Sequence, residues 1–143
     1  MSNAPFPPMP FDHAGISVRD LEVSVRFYGE VLGFSTCEET FELKGRDVRG
    51  AVLVNADGVR IELFERKGSR ANRIGDPIED TVVQGWFQLA FAVDDVQALF
   101  DRTVAAGAKP LLTPRVAPDG RSIVAFIGDP DNNLVEFLNR RPG

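Results

Sequence analysis

Four side chains in this sequence have the types and spacing to hold a divalent cation: His13, Glu62, Gln88 and Glu136. Glu62 follows His13 by 49 residues, and Glu136 follows Gln88 by 48. Each pair joins an early nitrogen or amide donor to a late carboxylate. Glu62 is flanked by Ile61 and Leu63, and Glu136 by Val135 and Phe137. A carboxylate in such apolar company costs several kcal/mol to bury unless a partner neutralises it. A shared cation does that for both glutamates at once, with His13 and Gln88 completing the set. Taken singly, each residue has an ordinary reading as a solvated or satisfied polar group. Only the recurrence makes them a constellation.

The recurrence extends to the elements that must position them. Val18 and Val93, Asp20 and Asp95, Ala51 and Ala125, and Asp57 and Asp131 repeat at the same offset of 74 to 75 residues. Self-similarity at a fixed offset indicates duplicated architecture. Each half reads as a strand, a helix capped by an aspartate, and three further strands. In the first half a strand over 11–18 leads to a helix capped by Asp20, with a stripe of Leu21, Val25, Tyr28 and Leu32 and a stop at Gly33. In the second a strand over 86–93 leads to a helix capped by Asp94 or Asp95, with Val96, Leu99, Phe100 and Val104 on its apolar face. The expected fold is therefore α+β: two tandem βαβββ modules, at 11–66 and 85–140, forming a curved mixed sheet around a central groove. A flexible arm occupies 1–10, and a linker occupies 67–84. Strand alternation puts His13, Arg60, Glu62, Phe64, Trp86, Gln88 and Glu136 on faces turned away from the helices.

Composition narrows the function. The chain has 143 residues, 43% hydrophobic and 26% charged, with a net charge of −5. No basic cluster interleaved with aromatics offers a nucleic-acid footprint. No apolar run reaches the ~20 residues of a membrane span, and the start lacks a signal-peptide pattern. Cys37, the single cysteine, excludes an internal disulfide and suits an inert thiol in a reducing cytoplasm.

The segments FDHAGISVRDLEVSVRFYGEVLGF, IELFE, LAFAVDD and DPDNNLVEFL in this plan resemble the vicinal oxygen chelate superfamily. That family includes glyoxalase I, methylmalonyl-CoA epimerase, extradiol dioxygenases and the fosfomycin and bleomycin resistance proteins, and the similarity spans residues 11–140. The resemblance carries the metal positions onto His13, Glu62, Gln88 and Glu136, with Gln88 where glyoxalase I and the epimerase normally have histidine. It implies a divalent metal (Zn²⁺, Ni²⁺, Mg²⁺ or Mn²⁺), no organic cofactor, and a homodimer.

With one histidine, the two-histidine iron face of the dioxygenases is out of reach. What the resemblance then implies is a glyoxalase-like lyase or isomerase acting on a small oxygenated substrate, an alpha-hydroxycarbonyl or a thioester. It would work through an enediolate stabilised by the ion, with Glu136 favoured as base and Glu62 its counterpart. Positions tied to glutathione binding in glyoxalase I fall on Arg66 and Ser17, so that pocket is not visible. Trp86, Phe64, Arg60 and Arg121 are the candidate substrate contacts. The segment 113–121 is expected to form a flap over the groove. The alternative is a non-catalytic, bleomycin-resistance-type protein that sequesters a small molecule.

Overall fold

A computed structural model describes residues 5–141; the first four residues of the expected 1–10 arm lie outside that range. The chain runs β1 (His13–Val18), α1 (Leu21–Glu30), β2 (Thr36–Leu43), β3 (Val48–Val54), β4 (Arg60–Arg66), a 3-10 turn (Glu79–Val82), β5 (Gln88–Ala92), α2 (Val96–Ala105), β6 (Lys109–Val116), β7 (Ile123–Gly128) and β8 (Leu134–Asn139). These elements make two four-stranded mixed sheets, ordered β1-β4-β3-β2 and β5-β8-β7-β6. In each, the first strand lies parallel to the last and the other pairings are antiparallel. A parallel pair needs a long crossover, and the helix supplies part of it. The architecture is α+β with two tandem βαβββ modules, as the repeat requires.

The caps fall where their chemistry directs. Asp20 accepts a hydrogen bond from Val23 N, and Asp95, not Asp94, accepts one from Ala98 N. The α1 stripe holds: Leu21 and Tyr28 are buried, Val25 and Leu32 pack half-buried against the core, and Phe27 and Ser24 are buried beside them.

One hydrophobic core spans both modules, from Leu21, Phe27, Tyr28 and Phe34 to Phe100, Ile127, Val135 and Phe137. Its polar joint is the hydroxyl of Tyr28, which donates to Asp129 Oδ2 at 2.8 Å, both side chains being fully buried. Asp129 also accepts from Asp131 N, Asn133 N and Asn133 Nδ2, so the DPDNN turn is folded around its carboxylate. Burial pushes the Asp129 carboxyl up despite these bonds, and it pushes the Tyr28 phenol well up, with the Asp129 carboxylate adding to that rise.

Two loops differ from the sequence reading. The expected flap is strand as far as Val116, then a tight turn in which Asp119 accepts from Arg121 N, Ser122 N and the Ser122 hydroxyl. The linker is longer than 67–84, because β5 starts at Gln88 rather than Trp86. It is organised around the buried Asp80, which accepts from the backbone N–H groups of Ile74, Gly75 and Asp76. This pattern satisfies chain polarity without a strand or helix, which is why periodicity could not announce it.

Candidate metal and proton-transfer site

The site follows from strand register. On β1, His13, Gly15 and Ser17 are exposed, while Ala14, Ile16 and Val18 turn towards the helix side. On β4, Ile61 and Leu63 are buried and Glu62 is half-buried on the opposite face. The parallel pairing sets Gly15 opposite Glu62, with His13 opposite Arg60, so His13 and Glu62 are diagonal neighbours. The second module repeats this: Ala90 lies opposite Glu136 and Gln88 opposite Leu134, again leaving the donors on a diagonal. A small residue, Gly15 or Ala90, faces each glutamate and leaves room for a long side chain to lean across.

Both diagonals close into direct contacts. His13 Nε2 lies 2.8 Å from Glu62 Oε2, and Gln88 Nε2 donates to Glu136 Oε2 at 2.9 Å. Neighbouring ligands of an octahedral ion at 2.0–2.1 Å sit about 2.9 Å from each other. The His13–Glu62 pair is thus spaced as two adjacent ligands would be, whereas Gln88 meets Glu136 through its amide N–H and would have to turn its carbonyl oxygen to an ion. The donor chemistry, one imidazole with carboxylate and amide oxygens, also suits a borderline divalent ion. Each half therefore fits half of a coordination shell. The halves do not join within one chain: among the described residues, His13, Glu62 and Glu136 do not come within 4.8 Å of one another as a group.

The electrostatics differ between the halves. The Asp12 carboxylate, 2.7 Å from His13 Nδ1, is the main reason the imidazole holds its proton above the ordinary range, with Glu62 adding to it. Burial pushes the Glu136 carboxyl up, against the opposing pull of the Gln88 amide and Arg140. A carboxylate raised in this way is a better proton acceptor than a free one.

The other expected contacts scatter. Phe64 packs edge-on against Phe41, ring centres 5.5 Å apart. Trp86 is fully exposed and, with His13 and Gln88, borders a cleft of about 780 Å³ between β1 and β5. Arg121 lies in the β6–β7 turn and does not border that cleft. Arg60 is not a free cation: Nε and Nη2 pair with Glu38 at 2.8 and 3.0 Å, and Nη1 lies 3.9 Å from Asp12. Sequence reasoning missed Asp12 and Glu38. The available signal was an acidic residue directly before the only histidine.

One acidic cluster, Asp20, Glu22 and Glu65, comes within 4.8 Å but is already satisfied. Arg49 bridges Glu22 and Glu65 through four hydrogen bonds, and Glu65 also accepts from Leu21 N at 2.7 Å. It clamps the start of α1 to the sheet.

Known proteins share this fold. The family profile of the Glyoxalase/Bleomycin resistance protein/Dioxygenase superfamily matches residues 11–137. A probable lactoylglutathione lyase of Vibrio parahaemolyticus is 28% identical over 132 residues, covering 90% of this chain and 89% of its own length. A virulence protein of Salmonella typhimurium is 31% identical over 135 residues, covering 88% and 81%. Some relatives are much longer: the chain spans 35% of a probable chloroplastic lactoylglutathione lyase of Arabidopsis thaliana. A glyoxalase family protein of Enterococcus faecalis shares the fold with a TM-score of 0.78 at 21% identity, over 91% of this chain and 97% of that one. With the family profile covering both modules and both donor pairs, the chain belongs to the Glyoxalase/Bleomycin resistance protein/Dioxygenase superfamily.

Proposed function

We propose that this protein is a glyoxalase-like lyase or isomerase that moves a proton alpha to a carbonyl on a small oxygenated substrate, an alpha-hydroxycarbonyl or a thioester. The observation that carries the reading is the matched pair of diagonals, His13–Glu62 and Gln88–Glu136, each closed to within 2.9 Å. His13, Glu62, Gln88 and Glu136 would hold a divalent ion such as Zn²⁺, Ni²⁺, Mg²⁺ or Mn²⁺. When bound, the ion supplies Lewis-acid stabilisation of the negative charge that develops on the substrate oxygens.

Glu136 is the general base. Its carboxylate accepts the alpha proton as the C–H bond breaks, then returns it to the neighbouring carbon. Its raised pKa brings its basicity closer to what carbon deprotonation near neutral pH needs. Glu62, paired with His13, holds the opposite side of the site and is the second proton-bearing group. Trp86 and Phe64 offer apolar surface to the rest of the substrate. Arg60 acts through Glu38 and Asp12.

Because the donor pairs stand apart in one chain, a homodimer completes the set. The first half-site of one protomer meets the second half-site of its partner. Supporting this, the faces that carry the donors are exposed and β2 is exposed along nearly its whole length. Such a closed two-fold arrangement generates two equal sites per dimer. The single exposed thiol, Cys37, suits a cytoplasmic setting.

The test is exchange of the alpha proton of small hydroxycarbonyls and thioesters in D₂O, followed by NMR with and without chelator, alongside sedimentation. The reading predicts dimers, metal in the purified protein and exchange that chelation stops. A metal-free protein that exchanges nothing while binding a planar ligand would replace it with sequestration. That second reading is favoured by the exposed Trp86 beside the inter-module cleft.

A further inference from the structure

His13 is the sole histidine of the chain, and both of its ring nitrogens are engaged. Nε2 faces Glu62 at 2.8 Å, and Nδ1 faces Asp12 Oδ2 at 2.7 Å. Behind Asp12 stands Arg60, its Nη1 3.9 Å from Asp12 Oδ1. Arg60 is itself held by the two-point pair with Glu38. The chain of contacts therefore runs Glu38–Arg60–Asp12–His13–Glu62 across the start of β1, the end of β2 nearest to it and β4.

A neutral imidazole coordinates only through the nitrogen that lacks a proton, and the partner of the other nitrogen decides which one that is. A carboxylate at Nδ1 keeps the proton there and leaves the Nε2 lone pair for an ion that His13 and Glu62 would share. Without Asp12, the Glu62 carboxylate would draw the ring proton to Nε2 and block coordination. Nothing comparable stands in the second module, where the positions matching Asp12 and Arg60 are Phe87 and Leu134.

The geometry points to Asp12 as the positioning residue of the site: backed by Arg60 and Glu38, it fixes the tautomer and ring orientation of His13 for coordination through Nε2. The inference rests on the reading of His13 as a metal ligand. It differs from an incidental surface pair between sequence neighbours, which would orient nothing and leave metal affinity untouched.

The 143-residue protein and its H13A, D12A and D12N variants are compared in two ways. Zn²⁺ affinity is measured by competition with a chromophoric chelator. The long-range ¹H–¹⁵N spectrum of the lone imidazole is recorded in metal-free protein at alkaline pH, where no second histidine confuses the assignment. We expect D12A to weaken Zn²⁺ binding by about 10- to 100-fold, as loss of an outer partner does at other metal sites. Its neutral ring should also move the proton from Nδ1 to Nε2. D12N, which keeps an acceptor oxygen, should restore most of both. Wild-type affinity and an unchanged Nδ1–H in D12A, beside a weakened H13A, sink the role of Asp12 alone. Equal affinity of wild type and H13A sinks the ligand reading, and the inference with it.

Discussion

The two half-sites use the same register and the same diagonal, yet they hold their donors differently. In the first, an imidazole sits between two carboxylates, with Asp12, Arg60 and Glu38 behind it. In the second, the amide of Gln88 donates its N–H to Glu136, and Phe87 and Leu134 occupy the supporting positions. To offer its carbonyl oxygen to a cation, Gln88 must rotate half a turn about its terminal bond and give up that hydrogen bond. Duplication fixes where the donors stand. The identity of the neighbours decides how firmly each is offered, so the first half is the anchor and the second is the adaptable side, carrying the proposed base.

The sharpest way to break this division is to neutralise each glutamate. Glu136→Gln should lower alpha-proton exchange by about 10²- to 10⁴-fold, the range of a lost general base. Glu62→Gln should chiefly weaken metal retention, because it strips the partner of His13. Exchange rates at saturating metal, read beside metal content, separate the two. If Glu62→Gln removes exchange while metal stays bound, and Glu136→Gln does not, the roles are reversed.

Next in size is the joint that keeps the halves in one body. Tyr28→Phe deletes the hydroxyl that donates to the buried Asp129 and retains the ring packing against Phe27 and Phe34. A buried acceptor that loses a donor costs about 1–3 kcal/mol. Denaturant unfolding should therefore show a single transition moved to lower denaturant. Two separate transitions would mean that the halves are only loosely coupled, contrary to their shared core.

A substitution in the adaptable half sharpens the contrast further. Gln88→His should raise metal affinity by about tenfold, equivalent to about 1.4 kcal/mol, since imidazole outcompetes a neutral amide for borderline ions. Chelator competition measures it. Affinity that does not rise would mean that Gln88 never enters the coordination shell.

How far this contrast could be read from sequence depends on the type of signal. The modules, the capping aspartates and the strand faces that carry the donors all follow from periodicity and offset, and these survive without neighbours in view. The Asp12–Arg60–Glu38 chain does not, because Arg60 and Glu38 lie 22 residues apart and meet only through the fold. Arg60 reads in sequence as a free cation near a turn, and only its partners show otherwise. Asp80 and Asp119 are similar: each organises a loop by accepting from nearby backbone, a role that composition leaves indistinguishable from a solvated acid. The separation of the two half-sites is also invisible in sequence, since the repeat states that donors match and says nothing about how far apart the two pairs stand.

The smallest effect expected lies in the turns that close corresponding hairpins of the two halves. The β2–β3 turn is held by backbone, Arg46 N donating to Leu43 O at 3.0 Å, whereas the β6–β7 turn adds Asp119 to its own backbone bonds, Ala117 N to Ser122 O at 2.8 Å and Gly120 N to Ala117 O at 2.9 Å. Bonding to Ser122 and to the backbone N–H groups of Arg121 and Ser122 lowers the Asp119 carboxyl from 3.8 to about 2. A group held lower in the folded state contributes stability that is complete above its ordinary value and disappears as the pH falls through the folded one. Thermal unfolding should thus lose a small increment between about pH 4 and pH 2 in the wild type, and Asp119→Asn should flatten that part of the profile. Because the turn is exposed, salt and solvent keep the increment modest. An identical acid profile in the variant would mean that this turn, like its counterpart, rests on backbone bonds alone.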